Sequence, residues 1–182
     1  MNPDGMFDLT FRRGLLSQML AFLDQHLGRQ VCTESPSLQR WTREPTFREL
    51  HLEFDLNSDL YLHGYVDRLD VAPTGEVRIV DYKTGKSPKP GWEAKALFQL
   101  QVYALLYYKT HNVLPRLLLL IYLGDGALVR STPTLADLAA TEATLIRIAN
   151  EIKLAIEKDI WPTKPSRLCD WCYFKAICPA HT

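Results

Sequence analysis

Two carboxylates and a lysine on neighbouring extended segments are the residues of this sequence best suited to chemistry on a phosphate. Asp81 and Lys83 are two residues apart in one apolar segment, so their side chains share a strand face, roughly 6.6 Å apart along it. Asp67 lies in the preceding segment, and the short turn at residues 72–76 makes the two segments neighbours. For Asp81 and Lys83 alone, a structural ion pair is the commoner explanation.

A divalent cation would explain why two carboxylates come together. Nearby carboxylates repel each other unless a cation or a proton lies between them. Mg²⁺ prefers one or two carboxylates together with waters and substrate phosphate oxygens. We therefore predict that Asp67 and Asp81 bind Mg²⁺ or Mn²⁺, and that Lys83 orients a water or stabilises developing charge.

Three further polar residues lie where they could support such a site. Glu49 precedes the first predicted strand, and Gln99 and Tyr103 are four residues apart, so they share one face of a predicted helix. A polar amide in an apolar helix needs a hydrogen-bond partner. The residues alone leave two interpretations equally open, a capped strand end or a contact that supports phosphate binding.

Three of the four cysteines cluster near the C-terminus as Cys169-x2-Cys172-x5-Cys178. The first residues carry no secretory signal, which predicts a cytoplasmic protein whose thiols bind a metal or an iron–sulfur centre. Cys32 is the remaining cysteine. Zinc sites favour two short Cys-x2-Cys pairs, whereas iron–sulfur centres accept varied spacing, so Zn²⁺ is the alternative cofactor.

The overall charge excludes strong non-specific binding to nucleic acid, because 21 basic residues balance 21 acidic ones. A DNA contact must come from a local patch, and the candidates are Lys86 and Lys89 in the loop that follows Lys83. Composition alone favours a solvated loop there. The longest apolar run, residues 117–123, is too short to cross a bilayer, so no membrane partner is expected.

Hydrophobic periodicity and turn residues predict the elements that position these side chains. An antiparallel meander of three strands is followed by a helix buried against the sheet, a central fourth strand, a short fifth strand and a second long helix with an apolar stripe. The predicted bounds are helix 9–28, strands 50–56, 61–71 and 77–83, helix 92–111, strands 116–123 and 127–131, and a helix from Thr134 to Trp161 with its stripe at Leu138, Leu145, Ile148, Ile152 and Ile156.

Taken in order, these motifs resemble the RecB-like branch of the PD-(D/E)XK nuclease superfamily. The matching segments are Gly64 to Arg68, Val80 to Lys86, Gln99-x3-Tyr103 and the Cys-x2-Cys-x5-Cys-Pro ending. Together they cover roughly residues 47–179. One of these motifs alone would be weak, whereas four at compatible spacing are specific.

The resemblance implies a restriction-endonuclease-like α/β fold, in which a central mixed sheet is flanked by helices. It implies exonuclease-type cleavage of single-stranded DNA or duplex ends with Mg²⁺ or Mn²⁺, in recombination or repair, with a helicase, recombination or CRISPR partner. Carried over by position, the metal ligands are Asp67 and Asp81, Lys83 is catalytic, and Gln99, Tyr103 and Glu49 support them. Relatives with this ending carry a [4Fe–4S] cluster, which implies ligation by Cys32, Cys169, Cys172 and Cys178.

The sequence departs from that family pattern at its N-terminal end. Relatives begin with a Cys-Pro segment and a helix whose His contacts the metal, and only Cys32 and His26 are present here. His26 lies on or near an apolar stripe, which favours a packed core residue. We therefore expect a single domain made of segments 1–46, 47–133, 134–161 and 162–182, the first of them shortened. The alternative function is a non-catalytic module on the same fold that binds DNA or a partner.

Overall fold

The computed structural model describes residues 45–58, 60–89, 91 and 93–181, and in them the chain forms one five-stranded sheet and two long helices. The predictions for helix 9–28, His26 and Cys32 lie outside the described residues. The elements are β1 (Phe47–Asn57), β2 (Leu60–Val71), β3 (Val77–Lys83), α1 (Glu93–His111), β4 (Leu117–Tyr122), β5 (Leu128–Ser131) and α2 (Leu135–Lys158), followed by short 3₁₀ turns at Arg167–Trp171 and Lys175–Ile177.

The sheet is mixed, with its strands in the order β1-β2-β3-β4-β5. The first three strands form the predicted antiparallel meander. β4 then pairs in parallel with β3, because α1 carries the chain back to the end of the sheet at which β3 begins. β3 is the middle strand of the five, and β4 is an inner strand that pairs with β3 on one side and β5 on the other. The predicted α/β class, a mixed sheet flanked by helices, is confirmed.

The core lies on β3, β4 and the buried side of α1. Ile79 and Val80 are successive residues of β3 and point to opposite faces, and both are buried, so this strand is covered on both faces. α1 contacts the first four strands and buries Leu100 and Ala104 completely. Full burial of a leucine side chain contributes about 1.5–3 kcal/mol, so this packing holds α1 firmly against the strands that precede it.

A buried ionic cluster lies on the sheet face opposite to Asp81. The Asp70 carboxylate is fully buried and accepts hydrogen bonds from Nε of Arg68 at 2.9 Å and Nε of Arg78 at 2.8 Å. Arg68 and Asp70 are two residues apart on β2, so their side chains share one strand face. Arg78 enters because it is directly opposite Asp70 on β3. An unpaired buried carboxylate would be strongly destabilising, and two guanidinium groups remove that penalty.

The second long helix begins as predicted, since Thr134 Oγ1 accepts from the backbone N–H of Asp137 at 3.2 Å and the Asp137 carboxylate accepts from Thr134. Its predicted buried stripe is confirmed only at the start. Leu138 is buried, whereas Ile148, Ile152 and Ile156 are exposed. Helical spacing identifies residues that share a face, but it does not show whether another element covers that face.

The chain divides into two compact units, Met1–Glu142 and Ala143–Thr182. The first contains the sheet and α1. The second consists of the later part of α2 and the two 3₁₀ turns. No helix in the described part of the chain is long and apolar enough to cross a membrane.

Candidate active site

Asp67 and Asp81 meet where the β2–β3 ladder ends. The last backbone pair is Arg68 with Val80, and the two aspartates are the next residues outward on each strand. Beyond that pair, the backbone N–H of Tyr82 donates to Oδ2 of Asp67 at 2.9 Å. A side-chain carboxylate thus takes the place of a strand carbonyl. The short turn after β2 makes this geometry possible, as the sequence predicted.

The Asp81 carboxylate is buried, and one of its oxygens is not satisfied by hydrogen bonds. Oδ2 of Asp81 lies 2.7 Å from Nζ of Lys83, which makes an ion pair on one strand face. Apart from the Lys83 ammonium, no group among the described residues donates to this oxygen. Buried polar atoms almost always have a partner, and the exceptions concentrate where a ligand or an ion binds.

Lys83, Gln99 and Tyr103 form a chain of hydrogen bonds that runs from the strand onto the helix. Nζ of Lys83 donates to Oε1 of Gln99 at 2.7 Å, and Nε2 of Gln99 donates to the Tyr103 hydroxyl at 2.8 Å. Tyr103 fits because residue 64 is a glycine. A Cβ at Gly64 would come 2.8 Å from Cε1 of the Tyr103 ring.

Burial and mutual repulsion shift the protonation of this site. Burial raises the pKa of Asp81, the neighbouring Asp67 raises it further, and the Lys83 ammonium lowers it. Burial also raises the pKa of Asp67, opposed by the Tyr82 N–H and by Lys83. The pKa of the Tyr103 hydroxyl is raised, first by burial. Both carboxylates therefore favour a bound proton or cation at this position.

The donors present fit a hard divalent cation of the Mg²⁺ type. Two carboxylates lie together, one with an unsatisfied buried oxygen, and Mg²⁺ takes its other ligands from water and phosphate. In the described residues no group of three or more His, Cys, Asp or Glu side chains could hold a metal. Asp67 and Asp81 are thus the protein ligands that this part of the chain offers.

Glu49 lies near the site, but it is not positioned as a third metal ligand. It occupies β1 between the pairs Arg48–Arg68 and Leu50–Val66, level with Asp67. Its φ is +47°, in the left-handed region that a non-glycine residue adopts at a cost of about 1–3 kcal/mol. The backbone irregularity is real, but the described geometry does not bring Glu49 together with both aspartates.

The loop that follows Lys83 is held in place at two points. Ser87 donates to Oδ2 of Asp125 from its backbone N–H at 2.9 Å and from its hydroxyl at 2.7 Å. The backbone N–H of Gly124 donates to the Gly85 carbonyl at 3.1 Å. The Gly-Asp-Gly sequence at residues 124–126 by itself is typical only of a turn. The partner of Asp125 is 38 residues away, and nothing local signals that contact.

The cysteine segment lies in the second unit and carries Cys169, Cys172 and Cys178. Sγ of Cys169 accepts from the backbone N–H of Ser166 at 3.2 Å, which caps the first 3₁₀ turn. Cys172 is exposed, and Cys169 and Cys178 are half-buried. The three thiols do not form a ready-made metal site, since no such group exists among the described residues.

Comparisons with known proteins agree with this arrangement. A model of the PD-(D/E)XK nuclease superfamily matches residues 5–179. The Gene 69 protein of Mycobacterium phage L5 is 30% identical over 135 residues, which are 71% of this chain and 44% of that protein. The chain thus spans less than half the length of this relative. The crystal structure of SSO0001 has a similar fold, with a TM-score of 0.50 and 18% identity, over 90% of this chain and 70% of that one.

Proposed function

Because this chain belongs to the PD-(D/E)XK nuclease superfamily, we propose that it is a Mg²⁺- or Mn²⁺-dependent deoxyribonuclease of the RecB-like kind. The observation that supports this most is the half-buried Asp67 beside the buried Asp81 and its ion-pair partner Lys83, with no hydrogen bond to Oδ2 of Asp81 among the described residues. The proposed reaction is hydrolysis of a phosphodiester bond, of exonuclease type, in DNA recombination or repair. The proposed substrate is single-stranded DNA or a duplex end, and a helicase is the proposed class of partner.

Each residue of the site has a role in this proposal. Asp67 and Asp81 would hold the cation, which supplies charge neutralisation at the phosphate and lowers the pKa of a bound water. Lys83 lies 2.7 Å from both Asp81 Oδ2 and Gln99 Oε1, so its ammonium is fixed where it would contact a phosphate bound at the aspartates. It orients the attacking water and stabilises developing negative charge. Gln99 and Tyr103 are positioning residues that hold Lys83 from α1.

The deciding experiment is a cleavage assay on linear single-stranded, linear duplex and covalently closed circular DNA, with Mg²⁺, Mn²⁺ or chelator. We expect cleavage of linear DNA only, and none with chelator. Lys83→Ala should retain metal binding and lower kcat by about 10²-fold or more, because its contact forms in the transition state. Lys109→Ala is the matched control, since Lys109 also forms an ion pair, with Glu142 at 2.9 Å, outside the site.

The outcomes separate the two candidate functions. Equal rates in wild type, Lys83→Ala and Lys109→Ala would contradict the proposed role of Lys83. DNA binding without cleavage in any metal would favour the non-catalytic module. The observation behind that alternative is the lack of a third protein ligand for the metal among residues 45–58, 60–89, 91 and 93–181.

For the second unit, we propose that Cys169, Cys172 and Cys178, with Cys32, ligate a [4Fe–4S] cluster, and that Zn²⁺ is the alternative cofactor. The support is the number and spacing of the thiols, since four thiolates bind such a cluster at varied spacing. Among the described residues, Cys169, Cys172 and Cys178 do not form a ready-made metal site, so ligation requires that their segment closes around the cofactor. Anaerobic purification with visible absorbance and iron and zinc analysis tests this. Cys172→Ser should lose the bound metal, and unchanged metal content would contradict the proposal.

A further inference from the structure

The loop from Thr84 to Lys89 connects the proposed catalytic lysine to α1, and the β4–β5 turn fixes it. Both donors of Ser87 bond to one oxygen of Asp125, and the other oxygen accepts from the backbone N–H of Ala127 at 3.2 Å. Both carboxylate oxygens of Asp125 thus accept hydrogen bonds, one from the loop and the other from the β4–β5 turn. The pKa of Asp125 is lowered, first by the Ser87 hydroxyl.

A close backbone approach reinforces this connection. A Cβ on Gly124 would lie 2.8 Å from both the carbonyl carbon and the carbonyl oxygen of Gly85. The backbone of Lys83 is held separately, because the Leu123 N–H donates to its carbonyl at 2.8 Å and β3 pairs with β4 at Tyr122. The contacts that fix the loop are therefore distinct from those that fix the lysine.

We infer that Asp125 is a positioning residue for substrate binding, which acts through Ser87 to hold Lys86 against the phosphate backbone of a bound DNA strand. The inference rests on the proposed function, since it requires DNA as the substrate. Lys86 is exposed and lies next to Ser87 in the chain. A lysine on a loop that is already ordered loses less conformational entropy on binding than one on a free loop.

Electrostatics alone predicts the opposite role for Asp125. Lys86 lies close enough to lower the pKa of Asp125, so the carboxylate would repel a phosphate that Lys86 contacts. If Asp125 acted only through its charge, removing that charge would tighten DNA binding. If Asp125 acts by positioning Lys86, removal of the Asp125 carboxylate weakens DNA binding, although the loop becomes more positively charged. The sign of the effect therefore separates the two roles.

The test measures DNA affinity by fluorescence anisotropy over a range of salt concentrations, with a labelled single-stranded oligonucleotide and Asp81→Asn as the non-cutting background. Variants are Asp125→Asn, Asp125→Ala, Ser87→Ala and Lys86→Ala. We expect wild type to bind DNA most tightly, Asp125→Asn more weakly and Asp125→Ala most weakly. The loss of affinity should be roughly threefold to tenfold for Asp125→Ala. The slope of log affinity against log salt concentration should become shallower by about one for both Lys86→Ala and Asp125→Ala. The double variant should lose no more affinity than either single variant.

The matched control is Asp137→Ala. Asp137 accepts from the N–H and the hydroxyl of Thr134 at 2.8 and 2.7 Å, so it repeats the Asp125 contacts at a helix cap. We expect Asp137→Ala to lower Tm and to leave DNA affinity and salt slope unchanged. In the cleavage-competent protein, Asp125→Ala should raise KM and leave kcat close to wild type, because Lys83 keeps its own backbone contacts.

Tighter DNA binding by Asp125→Ala, or additive effects of Asp125→Ala and Lys86→Ala, would overturn the inference. A fall in kcat alone, with unchanged affinity, would overturn it too. Failure of the proposed function gives a different result, because the wild-type protein then binds DNA but does not cleave it. Lack of DNA binding by wild type would overturn both, since neither a nuclease nor a DNA-positioning loop is then present.

Discussion

At the residue scale, the site combines groups that are unfavourable to bury unless a cation joins them. Asp81 is buried and its pKa is raised by burial and by Asp67. An acid whose pKa is higher in the folded than in the unfolded state binds more protons when folded. Its contribution to stability is therefore present at low pH and is lost as pH rises above the ordinary value. At neutral pH the metal-free site is destabilising.

Asp81→Asn should therefore stabilise the metal-free protein at neutral pH, since a neutral isostere removes the buried charge. We expect Tm in chelator to rise by about 2–4 °C. The difference from wild type should close below the ordinary pKa of 3.8, where the carboxyl is protonated in both states. Thermal unfolding at several pH values measures this. A lower Tm for Asp81→Asn at neutral pH in chelator would contradict the expected sign.

The residues that the sequence predicted well are those whose geometry is local. Strand alternation places Asp81 and Lys83 on one face, and the turn after β2 brings Asp67 alongside. The Gln99–Tyr103 hydrogen bond follows from helical spacing. The Asp125 contact could not be predicted, because its carboxylate meets a loop 38 residues away and a Gly-Asp-Gly turn already explains the residue types.

At the element scale, the packing of α1 on β2 depends on a glycine. Gly64→Ala places a Cβ 2.8 Å from Cε1 of Tyr103, so the half-buried ring must move. The movement would break the Gln99–Tyr103 hydrogen bond and release Lys83 from its fixed position. We expect kcat to fall by roughly tenfold, as displacement of a group that orders catalytic residues commonly does.

Tyr103→Phe is the companion variant to Gly64→Ala, because it keeps the ring and removes only the hydroxyl. Its loss of kcat should be smaller than that of Gly64→Ala. Steady-state kinetics on a linear DNA substrate compares the two. Wild-type kcat in Gly64→Ala would show that the position of Tyr103 does not matter for turnover.

The elements themselves were largely predictable from sequence, and their partners were less so. β3 has the predicted bounds, and the bounds of β2 differ by one residue, because alternation and turn residues mark them directly. The sequence did not reveal that β3 is central, since strand order depends on where α1 returns the chain. Nor could it reveal that Arg78 joins Arg68 around Asp70, because the arginine belongs to a different strand.

At the scale of the whole molecule, a balanced charge limits how DNA can be bound. The chain has no net charge, so affinity must come from a few local cations such as Lys86 and Lys89. We expect a shallow dependence of affinity on salt, with a slope of about −2 to −3 in log units for a few phosphate contacts.

Lys89→Ala should reduce that slope by about one and Lys109→Ala should leave it unchanged, because the Lys109 ammonium is already paired with Glu142. Affinity measured at several salt concentrations gives the slope. A slope of about −6 or steeper in wild type would contradict the account, since it would require many more phosphate contacts than the local patch offers.

The central claim is that Asp67 and Asp81 share one divalent cation, and calorimetric titration of the purified chain with Mn²⁺ tests it most directly. The variants are Asp67→Asn, Asp81→Asn and, as a control that also removes a carboxylate, Asp137→Asn. The account predicts a saturable site in wild type and Asp137→Asn that is lost in both site variants. Equal Mn²⁺ binding in all four proteins would contradict it.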